Sequence, residues 1–347
     1  MIEVKNLTKR YGTHRAVNAI SFHVEEGEIL GFLGPNGAGK STTMNILTGY
    51  LSASEGTVKI NGFDVLEQPY EAKSSIGYLP EQPPLYLDMT VREYLNFMYE
   101  LKKCTLSRQA HIAEICKIMK IEDVYGRLIK NLSKGYRQRV GMAQALIGNP
   151  PVLILDEPTV GLDPNQIIEI RSLIKSLGKH HTVILSSHIL PEIEAVCDRI
   201  VVINKGAIVA DATAAELARK YSGDHRLMVR VAGPEKDVLS LISHINGVKQ
   251  VSSLGMKEPG VCEFAVEPDE HADIRRDLFD RLSDRSWPLM GLKSMEMSLE
   301  EVFIELTREQ GASTMKRSQK QSAKASREIE EQVSEILGQP NEGGKEA

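Results

Sequence analysis

Eight consecutive residues, Gly34-Pro-Asn-Gly-Ala-Gly-Lys-Ser41, constrain this chain more than any other stretch. They fit the pattern G-x-x-x-x-G-K-[ST], whose glycines let the backbone wrap so that several N–H groups face one phosphate chain. In this pattern Lys40 can reach the terminal phosphates, and the Ser41 hydroxyl can ligate Mg²⁺. The apolar strand Glu28–Leu33 precedes the loop and the helical stretch Thr42–Gly49 follows it. This context predicts a nucleotide-binding loop with a helix N-terminus facing the anion.

Length, composition and charge narrow the class of protein. The chain has 347 residues, of which 41% are hydrophobic and 26% charged, which is ordinary for a globular protein of two domains. A formal net charge of −5 gives no general attraction to nucleic acid, so no nucleic-acid partner is expected. No apolar run approaches the roughly 18 residues that cross a bilayer. The cysteines are scattered without a C-x-x-C pair, which favours reduced thiols and a cytoplasmic location.

A second strong signal is the stretch Pro151–Glu157, a wholly apolar strand that ends in two carboxylates. A buried parallel strand has this pattern, and open α/β sheets bind ligands at the carboxyl ends of their strands. Asp156 can hold Mg²⁺, and Glu157 can polarise a water for attack on a γ-phosphate. A capped strand end is the alternative interpretation. It is the weaker one, because two adjacent acids after an apolar run are costly unless they serve a cation or water.

Five further residues are candidates that also have ordinary structural interpretations. Tyr11 can stack on an adenine ring, although its pattern equally fits a surface aromatic on a strand. Gln82, in a proline-rich loop, can bind Mg²⁺ or orient a water, and by itself it is only a polar loop residue. Ser133 and Gly135 can present a hydroxyl and free N–H groups to an anion, but the pattern alone favours a capped helix. His188 follows an apolar strand and can contact a γ-phosphate, although a structural role is more common there.

The hydrophobic periodicity predicts the domain organisation. Residues 1–80 are rich in short strands, whereas residues of about 85–150 have helical spacing, with a capping box at Thr90 and a helix from about Gly141 to Ile147. This predicts a helical subdomain inserted into an α/β core. Residues 225–307 follow the order β-α-β-β-α-β of a small ferredoxin-like domain. Residues 310–347 are polar and are predicted to be a disordered tail.

Taken together, the motifs of residues 1–220 resemble the ATP-binding subunit of an ABC transporter. In chain order they match the adenine-stacking aromatic at Tyr11, the Walker A loop at Gly34–Ser41, the Q-loop at Gln82, the signature at Asn131–Tyr136, the Walker B strand at Val152–Glu157, the D-loop at Gly161–Asp163 and the switch histidine at His188. The signature departs from Leu-Ser-Gly-Gly-Gln at Lys134 and Tyr136 but keeps Ser133 and Gly135. Its Leu-Ser-Lys-Gly-Tyr form is similar to ABC-2-type exporter subunits, including those of gliding motility and sodium extrusion.

The resemblance implies the fold class α/β: a P-loop NTPase ABC cassette with a RecA-like α/β core, an antiparallel β subdomain and a helical subdomain, followed by the ferredoxin-like α+β domain. It implies ATP hydrolysis coupled to export, with ATP and Mg²⁺ as cofactors. The implied partners are ABC-2-type transmembrane subunits, docking near Gln82–Leu101, and a second cassette in a homodimer or heterodimer. The implied location is peripheral, on the inner face of the cell membrane.

The resemblance also carries site residues over to this sequence. The ATP-binding set is Tyr11, Gly34, Pro35, Asn36, Gly37, Ala38, Gly39, Lys40, Ser41, Thr42, Ser133 and Gly135. The metal set is Ser41, Gln82 and Asp156. The catalytic set is Glu157 as general base, His188 as stabiliser of the γ-phosphate and Gln82 as its sensor.

Two other functions remain as alternatives. A soluble ABC ATPase acting on DNA or ribosomes is disfavoured, because the chain has one cassette, no long heptad run and a negative net charge. An ATP-binding regulator without turnover is disfavoured by Glu157 and His188, while the unusual signature keeps it open. For the C-terminal domain, a dimerisation or docking role is favoured over a ligand sensor, because no catalytic constellation is present there.

Overall fold

The computed structural model describes residues 1–221, 226–269, 272–295 and 300–304. The described residues up to Val302 belong to one compact unit, and residues 303 and 304 belong to a second. The tail predicted for residues 310–347 lies outside the described residues, as does part of the C-terminal domain predicted for residues 225–307. Those two domain boundaries therefore stay predictions.

The strands and helices of the described residues are numbered separately, in chain order. The strands are β1 Ile2–Tyr11, β2 His14–Val24, β3 Ile29–Leu33, β4 Glu55–Ile60, β5 Phe63–Asp64, β6 Ile76–Leu79, β7 Val152–Asp156, β8 Thr182–Ser187, β9 Arg199–Asn204, β10 Ala207–Ala212, β11 Arg226–Ala232, β12 Val248–Glu258, β13 Val261–Pro268 and β14 Leu289–Met295. The helices are α1 Lys40–Leu47, α2 Pro69–Ser74, α3 Val91–Leu101, α4 Arg108–Met119, α5 Lys134–Leu146, α6 Pro164–Leu177, α7 Leu190–Val196, α8 Ala214–Tyr221, α9 Glu235–Ser243 and α10 Arg275–Asp284.

A six-stranded sheet forms the centre of the cassette, in the order β10-β9-β3-β8-β7-β6. All neighbours are parallel except β10 against β9. Every residue of β3, β7 and β8 is buried, which explains why these strands are continuous apolar runs rather than alternating ones. Asp156 at the end of β7 pairs in register with Ser186 near the end of β8. The carboxyl ends of these two strands therefore lie side by side.

A second sheet, β2-β1-β4-β5, is antiparallel throughout. Its apolar face shares one core with the central sheet and with α1, whose Met44 and Leu47 are fully buried. Phe22 of this sheet meets Phe32 of the central sheet with ring centroids 5.5 Å apart. These two layers confirm the predicted α/β core and antiparallel β subdomain.

Helices α3, α4 and α5 form the helical block between β6 and β7. The predicted capping box is present: the Thr90 hydroxyl accepts from Glu93 N at 3.2 Å, and Glu93 Oε2 accepts from Thr90 N at 2.8 Å. The predicted helix cap at Ser133 is confirmed, because α5 begins at Lys134 directly after it; the helix start predicted near Gly141 is therefore wrong. A run of polar residues in its first turns hid the apolar spacing. Among the helices of the described residues, none combines the length and apolarity needed to cross a bilayer.

The C-terminal elements form a third sheet in the order β12-β13-β11-β14, antiparallel at every pairing, with α9 and α10 packed on one face. This is the arrangement of a ferredoxin-like domain, as predicted. The sequence pattern also predicts a helix over His271–Asp284 and a hairpin turn over Gly255–Gly260, and both are wrong at their first residues. The helix α10 begins at Arg275. Gly255 lies within β12, at a register shift with φ of 84°, which is the geometry of a β-bulge.

Candidate nucleotide-binding site

The loop Gly34–Ser41 joins β3 to α1 and is pinned between neighbouring strands. A Cβ added to Gly34 would lie 2.4 Å from the carbonyl oxygen of Ile203 in β9. Gly39 has a φ of 110°, and a Cβ there would lie 2.6 Å from the carbonyl oxygen of Ala16 in β2. Gly34 must be glycine because another backbone approaches it closely. Gly39 must be glycine for the same reason and because of its positive φ.

The loop leads into the N-terminus of α1 with free backbone donors. Of the first four amides of α1, all within the described residues, only that of Thr43 has a backbone acceptor, the Gly39 carbonyl at 2.9 Å. The amides of Lys40, Ser41 and Thr42 remain available, as is general for the first turn of a helix. Together with the positive end of the helix dipole, they make this turn suited to an anion.

Lys40 is buried, with 6% of its side chain exposed. Its ammonium donates to the carbonyl oxygens of Gly34 at 2.9 Å and Pro35 at 3.4 Å. It also lies 3.3 Å from Glu157 Oε1. The loop that supplies Lys40 and the strand that supplies Glu157 thus converge on one buried charge pair.

The two carboxylates that follow β7 are buried in different surroundings. Asp156 accepts a hydrogen bond from the Ser186 hydroxyl, and burial raises its pKa although hydrogen bonds from Ser186 and Ser41 act in the opposite direction. Glu157 Oε2 lies 2.8 Å from His188 Nδ1. Glu157 has a φ of 48°, an uncommon left-handed conformation, and its N–H donates to Ser186 Oγ at 3.0 Å.

Ser186 is a site residue that the sequence reasoning missed. Its hydroxyl donates to Asp156 and accepts from the Glu157 N–H, so it fixes both acidic residues at once. The only signal in the sequence was the pair of serines that ends strand β8. The structure therefore brings together Gly34–Thr42, Asp156, Glu157 and His188, and adds Ser186 to them.

Four other predicted residues are not joined to this cluster by a hydrogen bond within the described residues. Tyr11 ends β1 with 49% of its surface exposed, and Lys9 lies over its ring at 5.4 Å. Gln82 is exposed in the loop after β6. Ser133 caps α5 through a hydrogen bond from Tyr136 N at 3.3 Å, and Gly135 packs against the side chain of Gln166.

The chain is similar to a known protein family, to characterised relatives and to solved structures. The family described as ABC transporter matches residues 17–160. The linearmycin resistance ATP-binding protein of Bacillus subtilis (strain 168) is 32% identical over 314 residues, covering 88% of this chain and 98% of the relative. The Nod factor export ATP-binding protein of Burkholderia orbicola (strain AU 1054) is 34% identical over 308 residues, covering 88% and 96%. A solved dimeric ATP-binding cassette in a post-hydrolysis state, bound to ADP and Pi, matches with a TM-score of 0.57 and 28% identity, covering 61% of this chain and 98% of that chain.

These matches confirm the predicted family, the fold class and the ATPase activity. Cassettes of this kind bind ATP, dimerise and work with transmembrane subunits. The chain belongs to the ABC transporter family, as an ATP-binding subunit that hydrolyses ATP.

Proposed function

We propose that this chain is the ATPase subunit of an ABC-2-type exporter and that two copies form two composite ATP sites. The observation that carries the proposal is the position of the Glu157 carboxylate. It lies between the Lys40 ammonium, at 3.3 Å, and His188 Nδ1, at 2.8 Å, at the carboxyl end of β7. A carboxylate held between the phosphate-loop lysine and a histidine is placed to act on a water beside a bound phosphate chain.

The loop Gly34–Thr42 binds the phosphates of ATP. Its free amides and the Lys40 ammonium supply the positive field, and Ser41 contributes its hydroxyl. Tyr11 stacks on the adenine ring, which is consistent with its exposed ring at the end of β1.

Mg²⁺ fits the donors that this chain offers. Magnesium prefers oxygen ligands and usually combines one or two carboxylates with phosphate and water. Asp156 supplies a buried carboxylate within hydrogen-bonding contact of Ser41, and Gln82 supplies an exposed amide oxygen. We assign these three side chains to the metal, which neutralises charge on the β- and γ-phosphates when bound.

Hydrolysis follows from the pair Glu157 and His188. Glu157 accepts a proton from the attacking water, whose oxygen forms the new bond to the γ-phosphorus as the bond to ADP breaks. His188 holds Glu157 Oε2 through Nδ1, and we assign its Nε2 to stabilisation of the γ-phosphate. Gln82 senses the γ-phosphate and the metal from the loop after β6.

The signature residues motivate the dimer. Within the described part of the chain, Ser133 and Gly135 form no hydrogen bond with the phosphate loop of their own chain. We infer a head-to-tail homodimer in which each ATP lies between Gly34–Ser41 of one copy and the α5 N-terminus of the other. ATP favours the closed dimer and hydrolysis reopens it, which moves the membrane subunits between two states.

The membrane partner has a candidate docking groove between α2 and the end of α3. Its volume is about 370 Å³, and its walls include Tyr70, Lys73, Leu101 and Leu106. Tyr70 is 68% exposed and Leu101 62%, so the groove offers apolar side chains to a partner. We propose that a cytoplasmic helix of the transmembrane subunit occupies it and holds the cassette at the inner face of the membrane.

Export, rather than import, is supported by the relative named for Nod factor export. We propose the boundaries 1–220 for the cassette and 225–307 for an accessory domain that supports dimerisation or docking.

The test is affinity capture of the tagged Glu157→Gln chain from detergent-solubilised membranes of its own cells, with and without ATP. The proposal predicts co-purification of a polytopic membrane protein. It also predicts that Leu101→Glu abolishes capture, whereas Ile118→Glu, at an exposed position on α4, does not. Capture of ribosomes, nucleic acid or soluble proteins alone would refute the transport function and leave the ATPase activity in place.

A further inference from the structure

Glu192 is a buried carboxylate beside the site that none of the roles above uses. It lies on α7 with 3% of its surface exposed. Its Oε2 accepts from the Thr159 hydroxyl at 2.6 Å and from the Ser187 hydroxyl at 3.0 Å. A buried carboxylate is costly unless it is paired and hydrogen-bonded, so these contacts make its burial tolerable.

One of these contacts reaches the turn that follows Glu157. Thr159 is two residues after Glu157, and the turn is closed by Val160 N donating to the Glu157 carbonyl at 3.2 Å. Glu157 itself has a φ of 48°. A non-glycine residue keeps such a conformation only where its surroundings hold it. The Thr159 hydroxyl supplies a side-chain anchor for this strained turn.

The other contact reaches the turn that carries His188. Ser187 directly precedes His188, and its hydroxyl has one proton, which it donates to Glu192. The same oxygen accepts from Ile189 N at 3.0 Å. The Ser187 side chain thus bonds to the backbone on the far side of His188, and its own hydrogen bond to Glu192 fixes the position of this turn.

A counter-charge comes from a third element. Arg171 of α6 places Nη2 4.0 Å from Glu192 Oε1. This distance is beyond a hydrogen bond, so Arg171 stabilises the negative charge electrostatically, while the two hydroxyls fix the geometry.

We propose that Glu192 is a positioning residue for ATP hydrolysis. Its carboxylate ties the turn after Glu157 to the turn that carries His188, and so sets the 2.8 Å contact between Glu157 Oε2 and His188 Nδ1. The inference rests on the proposed roles of Glu157 and His188. It adds a residue that touches neither ATP nor the attacking water.

The test compares Glu192→Gln with the unchanged full-length chain in steady-state ATP hydrolysis and in equilibrium ATP binding. Misplacement of a catalytic pair by about 1 Å can cost roughly a hundredfold in rate, so we expect kcat to fall by roughly 10- to 100-fold. The ATP dissociation constant should stay within about twofold, because within the described residues no hydrogen bond or ion pair joins Glu192 to Gly34–Thr42. Glu194→Gln, at an exposed position on the same helix, is the matched control and should be unaffected.

A double-mutant cycle separates positioning from general structural support. In a His188→Ala background the contact to be positioned is gone, so Glu192→Gln should cost less than about twofold in residual turnover, measured with radiolabelled ATP. An equal loss in both backgrounds, or wild-type kcat in Glu192→Gln, would overturn the inference. Thr159→Val removes one of the two hydroxyl contacts with little change of shape, and it provides the same cycle if Glu192→Gln does not fold.

Failure of the proposed catalytic roles of Glu157 and His188 has a different signature. In that case Glu157→Gln and His188→Ala would turn over at the wild-type rate. If Glu157→Gln and His188→Ala are inactive but Glu192→Gln is fully active, the roles of Glu157 and His188 stand and only the positioning role of Glu192 is refuted.

Discussion

Replacement of Glu157 by Gln removes one negative charge from a nearly closed environment. The carboxylate and the Lys40 side chain are 7% and 6% exposed, and their charged atoms lie 3.3 Å apart. At that distance Coulomb attraction is about 5 kcal/mol for an effective dielectric constant of about 20. Breaking a buried pair typically costs about 3–5 kcal/mol, because the remaining charge loses its opposite charge; here Lys40 keeps only the carbonyl acceptors of Gly34 and Pro35. The variant should therefore be several kcal/mol less stable in the absence of nucleotide.

ATP should reverse most of that loss. The phosphate chain supplies the negative charge that Lys40 has lost, so ATP binds the folded variant with undiminished affinity and stabilises it by mass action. Turnover should still fall by roughly 10²- to 10⁴-fold, because the amide of glutamine cannot accept a proton from the attacking water. The same substitution thus separates binding from hydrolysis.

The assay combines phosphate release at saturating ATP with urea-induced unfolding in the presence and absence of ATP. Glu194→Gln is the control for loss of a carboxylate at an exposed position. Unchanged phosphate release would refute Glu157 as the general base. A stability deficit that saturating ATP does not narrow would refute the shared role of Glu157 and phosphate as partners of Lys40.

Three further predictions concern binding and stability. Tyr11→Ala should weaken ATP binding by roughly 5- to 100-fold, the range of base–aromatic stacking, without changing turnover at saturating ATP; fluorescence titration with labelled ATP checks this, and an unchanged affinity would contradict the stacking. Lys102→Met should destabilise the chain by about 1–3 kcal/mol in urea, because the Lys102 ammonium donates to three carbonyls at the end of α5. Burial lowers the pKa of Lys102 from 10.5 to about 8. Between these two pH values the unfolded chain binds more protons than the folded chain, so the free energy of unfolding of the native protein, relative to that of Lys102→Met, should rise with pH. A fall of this difference with pH would contradict the lowered pKa. Thr90→Ala should cost about 1 kcal/mol through loss of the capping box, and an unchanged urea midpoint would refute that contribution.

The ends of β7 and β8 were predictable from the sequence, but their position beside each other was not. The apolar run Val152–Asp156 and the run before His188 predicted two buried strands that end in polar residues, and both are confirmed. Their adjacency was not predictable, because strand order depends on how the whole chain winds through the sheet. That adjacency is what brings Glu157 and His188 to 2.8 Å.

Buried polar residues beside the site were the main features that could not be predicted from the sequence. Ser186 and Glu192 looked ordinary in the sequence, one in an apolar strand and the other in a short helix after a proline. Their importance comes from hydrogen bonds to residues about 30 positions away, to Asp156 and Thr159, which no local pattern records. The cap at Ser133 was predicted correctly, but the helix itself was placed from about Gly141, because polar residues in its first turns interrupt the apolar spacing.

In the proposed dimer, ATP joins two copies of this chain through Gly34–Ser41 of one and Ser133 of the other. The most direct measurement is the mass of the Glu157→Gln chain in solution by light scattering, with and without ATP and Mg²⁺. We expect the monomer mass of 38.5 kDa without nucleotide and twice that mass with ATP. We also expect that Ser133→Glu, which sets a negative charge against the phosphates, stays monomeric while still binding ATP. A mass that remains at the monomer value for Glu157→Gln saturated with ATP would contradict the account.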